Sequence, residues 1–311
     1  MRKRILSLTL SCLMLLSCII GASATDGVVA NNESAEYQES HFQINLADYD
    51  VYVDNGEMNL VAKKSLARSS KKAVSENASK LQEIFAEFPD VKENLISEYQ
   101  ADDELCAVSF TEVPVVYVDG HYERVPVTRG SSTSDKSSSG KFLLYTSIHG
   151  GVQALNNQYR YVARTFGSWS NSILGGANYP AAGNDYVLQT APNTFGRTSD
   201  SIAATYDHNP TGGVSGSDFW REDGNSQYVR YLIKDDPAGY RQLKSFTLES
   251  IYAGPQFMFT RQIGSYYVHT WNEMTLAVSV SASTDRAITL TLTPSIVSKS
   301  WQIYNFVEFA F

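Results

Sequence analysis

From Phe142 onward the chain alternates short runs of β-branched and aromatic residues with clusters of Gly, Pro, Asn and Asp, and no long helical period interrupts them. Parallel strands need crossover helices between them, so this rhythm disfavours a βαβ fold. It predicts an antiparallel β-sandwich or jelly-roll-like domain over residues 141–311. The expected strands are residues 142–148, 159–166, 201–206, 227–233, 243–251, 266–280, 287–293 and 301–311. The sharpest alternation runs from Met274 to Ala282 and is answered by Ile288 to Thr293, which predicts a hairpin with one apolar and one hydroxyl-rich face. The chain ends on Phe306-Val307-Glu308-Phe309-Ala310-Phe311, so its last strand is expected inside a sheet, where the aromatic terminus is covered.

Upstream, the pattern changes. Leu81, Ile84, Phe85 and Phe88 recur at helical spacing behind Ser79-x-x-Gln82, which predicts a capped helix from Ser79. Pro89 breaks that pattern and suits the first turn of a second helix, with Val91, Leu95 and Tyr99 on its apolar side. Asp119-Gly120 provides the positive φ angles of a tight turn, so Val115–Val118 should fold back on His121–Val125. Pro114 and Pro126 argue that these strands lie at a sheet edge. The Ser-rich segment 129–140 reads as a linker between this small α+β module, residues 76–128, and the β domain. Residues 25–75 are polar and weakly patterned, and partial disorder is expected there.

Arg2, Lys3 and Arg4 precede an apolar run from Ile5 to Ile20 and the small residues Gly21-Ala22-Ser23-Ala24. These are the parts of an export signal, residues 1–24, with cleavage before Thr25. The run is shorter than the roughly 20 residues a membrane helix needs. Leu15-Leu16-Ser17-Cys18 resembles a lipobox, but Leu16 stands where a small residue is usual, so secretion is favoured over a lipid anchor on Cys18. After cleavage only Cys106 of the three cysteines remains, which leaves no internal disulfide and no cysteine metal cluster. Loss of the basic start leaves 22 Lys plus Arg against 33 Asp plus Glu, a net charge of −11. Without clustered cations to neutralise phosphates, nucleic acid is excluded as a partner.

The five histidines, at 41, 121, 149, 208 and 269, form no metal-binding spacing. Gly213-Val214-Ser215-Gly216-Ser217 lacks the last glycine of a nucleophile elbow. Paired acids are harder to exclude, because a glycosidase needs only two carboxylates about 5–10 Å apart from any strands. Asp218-Phe219-Trp220-Arg221-Glu222-Asp223-Gly224-Asn225 puts three acids, an amide and a Trp in one expected loop. Asp218, Glu222 and Asp223 are therefore the candidate calcium ligands, and Trp220, Asn225 and Trp169 the candidate ligand-binding residues. A plain acidic surface loop accounts for the same residues, as no EF-hand spacing is present. No catalytic residue is assigned.

The stretches Tyr266-Tyr267-Val268-His269-Thr270-Trp271 and Ser300-Trp301-Gln302-Ile303-Tyr304-Asn305-Phe306, behind a signal segment, short helices and a Ser-rich tract, resemble a loose group of secreted β-rich proteins of clostridia-like Gram-positive bacteria. The resemblance covers chiefly residues 140–311 and implies export and a β fold, with no activity and no catalytic residues. The expected function is that of a secreted or cell-surface, non-enzymatic binding protein for an extracellular protein or glycan. The alternatives are a carbohydrate-binding module or glycan-active enzyme, and a β-pore-forming protein built from the Ser/Thr-alternating strands.

Overall fold

The computed structural model describes residues 38–101, 104–125, 139–153, 158–174, 183–207, 219–235, 242–255, 260–271, 276–282, 288–294 and 300–310. The expected signal segment, the lipobox cysteine, most of the expected linker, Pro126 and Asp218 lie outside them. The fold is mainly β and antiparallel. The first half contains β1 (Ser40–Asn45), β2 (Tyr49–Asp54), β3 (Glu57–Ala62), α1 (Arg68–Glu87), α2 (Pro89–Gln100), β4 (Leu105–Val118), β5 (His121–Arg124), β6 (Ser139–Gln153), β7 (Gln158–Trp169) and the single turn α3 (Asn171–Leu174). The second half contains β8 (Gly183–Thr190), β9 (Gly196–Asp207), β10 (Phe219–Gly224), β11 (Tyr228–Asp235), β12 (Gln242–Pro255), β13 (Arg261–Thr270), β14 (Leu276–Ala282), β15 (Ile288–Pro294) and β16 (Ser300–Phe309).

Two sheets carry the fold. The larger runs β1-β4-β6-β7-β12-β9 with β5 beside β4, and the smaller runs β10-β11-β8-β13-β16. Their facing sides bury two apolar clusters, one around Phe142, Trp169, Phe246 and Tyr267, the other around Ile148, Phe195, Ile263 and Phe309. The outer side of the larger sheet buries a third, where Leu81, Phe85, Phe88 and Leu95 of the helices meet Phe110 and Tyr145.

The expected hairpins form as read. Asp119 (φ 47°) and Gly120 (φ 92°) turn β4 into β5, with Val118 opposite His121. β14 pairs with β15 from Leu276–Pro294 to Ala282–Ile288. Pro89 occupies the first turn of α2, and Val91 and Leu95 are buried.

Several expectations need correction. Residues 40–75 are ordered into strands and the start of α1, because Phe42, Ile44, Tyr49 and Met58 have a core to enter. Asn55-Gly56, with φ of 51° and 77°, closes the β2–β3 hairpin and was a turn signal in plain view. α1 begins at Arg68, so Ser79 lies mid-helix and its hydroxyl bonds to Ser75 O instead of capping. The α+β module is not separate: β4 pairs with β6 from Leu105 to Val116, and Glu36–Phe311 forms one compact unit. Ser139 and Gly140, assigned to the linker, open β6.

Nor does Pro114 mark an edge, since β4 has β6 on one side and β1 and β5 on the other. Pro114 falls in the gap where β1 pairing ends at Glu112 and β5 pairing begins at Val115. Its carbonyl accepts from Val125 N, so its missing N–H points into that gap. The last strand, β16, is an edge strand, pairing with β13 alone among the described residues. Its exposed backbone is met by side chains instead: the Gln43 amide donates to Glu308 O and accepts from Glu308 N, and Arg124 donates to Gln302 O.

A polar layer crosses the interior between the two facing clusters. On the larger sheet Ser109, Thr146 and Thr165 are direct cross-strand neighbours; on the smaller sheet Gln189, Ser265 and Asn305 are. All six are fully buried. Asn305 satisfies its whole amide here, accepting from Ser109 and Thr111 hydroxyls at 2.8 and 2.9 Å and donating to Ser109 O and Thr146 Oγ1 at 2.9 and 3.0 Å. Thr146 donates to Ser265, and Gln189 donates to Thr165 and accepts from Tyr252. Every bond crosses from one sheet to the other, so the layer sets their register where apolar packing alone tolerates sliding.

Candidate functional site

The residues 218–225 expected as a ligand loop are mostly strand. Phe219–Gly224 is β10, hairpinned with β11, and its acids are spent on that hairpin. Glu222 pairs with Arg230 at 2.9 Å, and Asp223 accepts from the Tyr228 hydroxyl and from Gly224 N. The Tyr228 hydrogen bond above all holds the Asp223 carboxyl below its usual range. The Asn225 side chain closes the turn by accepting from Gln227 N and Tyr228 N. Among the described residues, no group of three or more His, Cys, Asp or Glu side chains converges as a metal site. Trp220 is 42% exposed, but Trp169 is 1% exposed and packs edge-on to Phe142, so the two do not form a sugar platform.

Sequence spacing gave no warning of two places where a histidine, a hydroxyl and a carboxylate meet. In one, Asp185 accepts from the Tyr267 hydroxyl and from Thr270 N and lies 3.1 Å from His269 Nδ1. In the other, Glu98 at the end of α2 accepts from Tyr145 at 2.8 Å and Ser147 at 2.5 Å and lies 3.1 Å from His149 Nε2. Neither is a nucleophile relay. A relay passes the hydroxyl proton to the imidazole, whereas here hydroxyl and imidazole chiefly address the same carboxylate, the Tyr267 hydroxyl lying 3.5 Å from His269 Nδ1 but donating to Asp185. All these side chains are buried, and burial, reinforced by the neighbouring carboxylates, pushes the Tyr145 and Tyr267 hydroxyls well above their usual range.

A concave feature large enough for a ligand lies at the end of the sandwich where β1, β2 and the 3-10 turn Leu46–Asp48 meet the start of β4 and the end of β16. It is a groove of about 1250 Å³. Leu46, Leu105 and Phe309 form an apolar floor, and Asp48, Asp50, Glu104, Glu308 and Lys63 supply the charged lining. Tyr49, Tyr99 and Tyr159 add aromatic walls. Tyr49 donates to Val74 O at 2.9 Å, and burial, then the Asp48 charge, pushes its hydroxyl up to about 12. Cys106 lies in the same wall and donates to Glu104 O, and burial, then the Glu104 charge, pushes its thiol up to about 11. A thiol held that high is protonated at neutral pH, which lowers its reactivity.

No protein-family model matches the chain. No curated protein matches it either. Among solved structures, it is similar to the full-length major pilin SpaD from Corynebacterium diphtheriae (10% identity, TM-score 0.31, 65% of this chain and 46% of that chain). It is also similar to the pilus backbone protein RrgB from Streptococcus pneumoniae (8%, 0.25, 51% and 44%) and to the T6 backbone pilin of serotype M6 Streptococcus pyogenes (8%, 0.31, 86% and 64%). The chain spans about half the length of the first two. At such scores nothing of the pilins' role is carried over.

Proposed function

We propose that this protein is exported and acts outside the cell as a non-enzymatic binding protein, receiving an extracellular partner in the groove between β1, β4 and β16. The groove carries the reading: an apolar floor, tyrosine walls and a charged lining are the mixture that orients a ligand while burying part of it. The protonated Cys106 and the sealed histidines support binding over chemistry. Export rests on the sequence of residues 1–24, and a mature N-terminus at Thr25, read by mass spectrometry, is its expected outcome.

A glycan array and a display of extracellular peptides, both probed with the purified mature chain, test the binding reading. Retention is expected, and reversing the exposed acids of the lining with Asp50→Lys and Glu104→Lys is expected to abolish it without changing Tm. Retention indifferent to both reversals sinks the groove as the site. Release of reducing sugar from a retained glycan would instead make the protein an enzyme, and dye release from liposomes would favour the pore.

A further inference from the structure

We propose that the free edge of β9 is a pairing surface on which a second copy of this chain lays its own β9, antiparallel, continuing the larger sheet across a two-fold axis. This stands apart from the groove. An edge strand offers a row of N–H and C=O groups to any passing strand, and proteins blunt such edges with covers, charges, bulges or shortness. The other edges of the two sheets show these devices. Asn77 of α1 donates to Gln43 O on β1, β5 has four residues, and the β16 edge is met by Gln43 and Arg124. β10 has six residues, a bulge between Arg221 and Asp223, and three charged side chains.

β9 shows fewer of them among the described residues: a bulge at Thr198 lies near its start, and its middle run carries one charge, Asp200. It is 12 residues long, and its register with β12 is unbroken from Ser199 to Thr205, a run without Pro, Lys or Arg. Within that run no described strand pairs with its outer side.

The side chains indicate which partner fits. Ser199, Ser201, Ala203 and Thr205 alternate along the exposed face. Asp200, the one charge in the run, is matched within its own chain by Arg197, Arg221 and the Tyr231 hydroxyl. Antiparallel pairing centred on Ile202 sets Ser199 against Thr205, Ser201 against Ala203 and Asp200 against Ala204. No like charges oppose each other, and hydroxyl pairs form. For a mature chain with 22 Lys plus Arg against 33 Asp plus Glu, a net charge of −11, a neutral edge is where self-association meets the least repulsion. A two-fold pairing closes on itself, so the product is a dimer and not a filament.

Sedimentation equilibrium of the mature chain over roughly 1 μM to 1 mM, the range of a small interface, is expected to show a monomer–dimer equilibrium. Ser201→Lys with Ala203→Lys sets lysine against lysine across the axis and is expected to leave only monomer at unchanged Tm. Should that variant misfold, hydrogen exchange on the unaltered chain decides: the amides of 199–205 are expected to gain protection as concentration rises. A monomer throughout, a dimer that survives both lysines, or concentration-dependent protection elsewhere overturns the proposal. So does protection of β9 that only a different protein provides.

Discussion

The sandwich interior has an apolar region around Phe142 and Trp169 and, one turn of the pleat away, a polar layer around Asn305 and Ser265. Both are fully buried, yet they hold the two sheets together by different physics. The apolar region depends on area and close packing, where loss of any large group costs in proportion to what it filled. The polar layer depends on completeness: each hydroxyl and amide is tolerable only while its partner is present, and the hydrogen bonds mainly specify alignment. An interior of this kind obtains stability from its ends and register from its middle.

Alkali separates the two most strongly. Serine, threonine and amide groups of the polar layer do not titrate, whereas Tyr161 of an apolar cluster is held protonated by burial and pushed up to about 12, as is the buried Tyr186. Tyr49 at the groove behaves likewise. Their folded pKa values lie above the unfolded value near 10, so the unfolded chain releases protons first as pH rises. Their stabilising contribution is complete below pH 10 and is lost as pH climbs toward 12. Cooperative unfolding in that window, coincident with tyrosinate absorbance, is expected by far-UV circular dichroism; tyrosinate forming at pH 10 without unfolding would contradict it.

Phe142→Ala probes the apolar region directly. Phe142 stacks on Tyr267 with centroids 4.3 Å apart and meets Trp169 edge-on, so its truncation is expected to cost about 3–5 kcal/mol in urea unfolding. A somewhat smaller loss, about 2–3 kcal/mol, is expected for Asn305→Leu, which leaves the buried hydroxyls of Ser109 and Thr111 without their acceptor. Adding Ser109→Ala and Thr111→Val to that variant should recover part of the loss, since the two unmet hydroxyls are gone while Ser109 O and Thr146 Oγ1 still lack the amide donor. Failure of that rescue would mean that the layer contributes energy and not alignment alone. The smallest effect concerns Cys106, whose thiol at about 11 predicts slow alkylation by iodoacetamide at pH 8 in the folded chain and fast alkylation once unfolded.

Local signals were the legible part of the fold. Asp119-Gly120 and the alternation on either side of residues 283–287 encode hairpins between neighbours in sequence, and Pro89 encodes a helix start. β10 escaped notice because its charges read as a loop, although Arg230 across the ladder neutralises Glu222. The candidate site was less legible still. Its floor and charged lining come from residues as far apart as Leu46 and Phe309, and no local pattern marks Glu104 or Asp50 as neighbours.

By itself the sequence determined the fold class and the short-range pairings, because strand alternation and turn chemistry act over a few residues. The tertiary structure alone decided that the N-terminal strand β1 joins the larger sheet, that Trp169 is core, and that Asn305 meets Ser109 across 196 positions. Such contacts depend on which sheet faces which, and a buried amide looks the same in sequence as an exposed one until its partners are assembled around it.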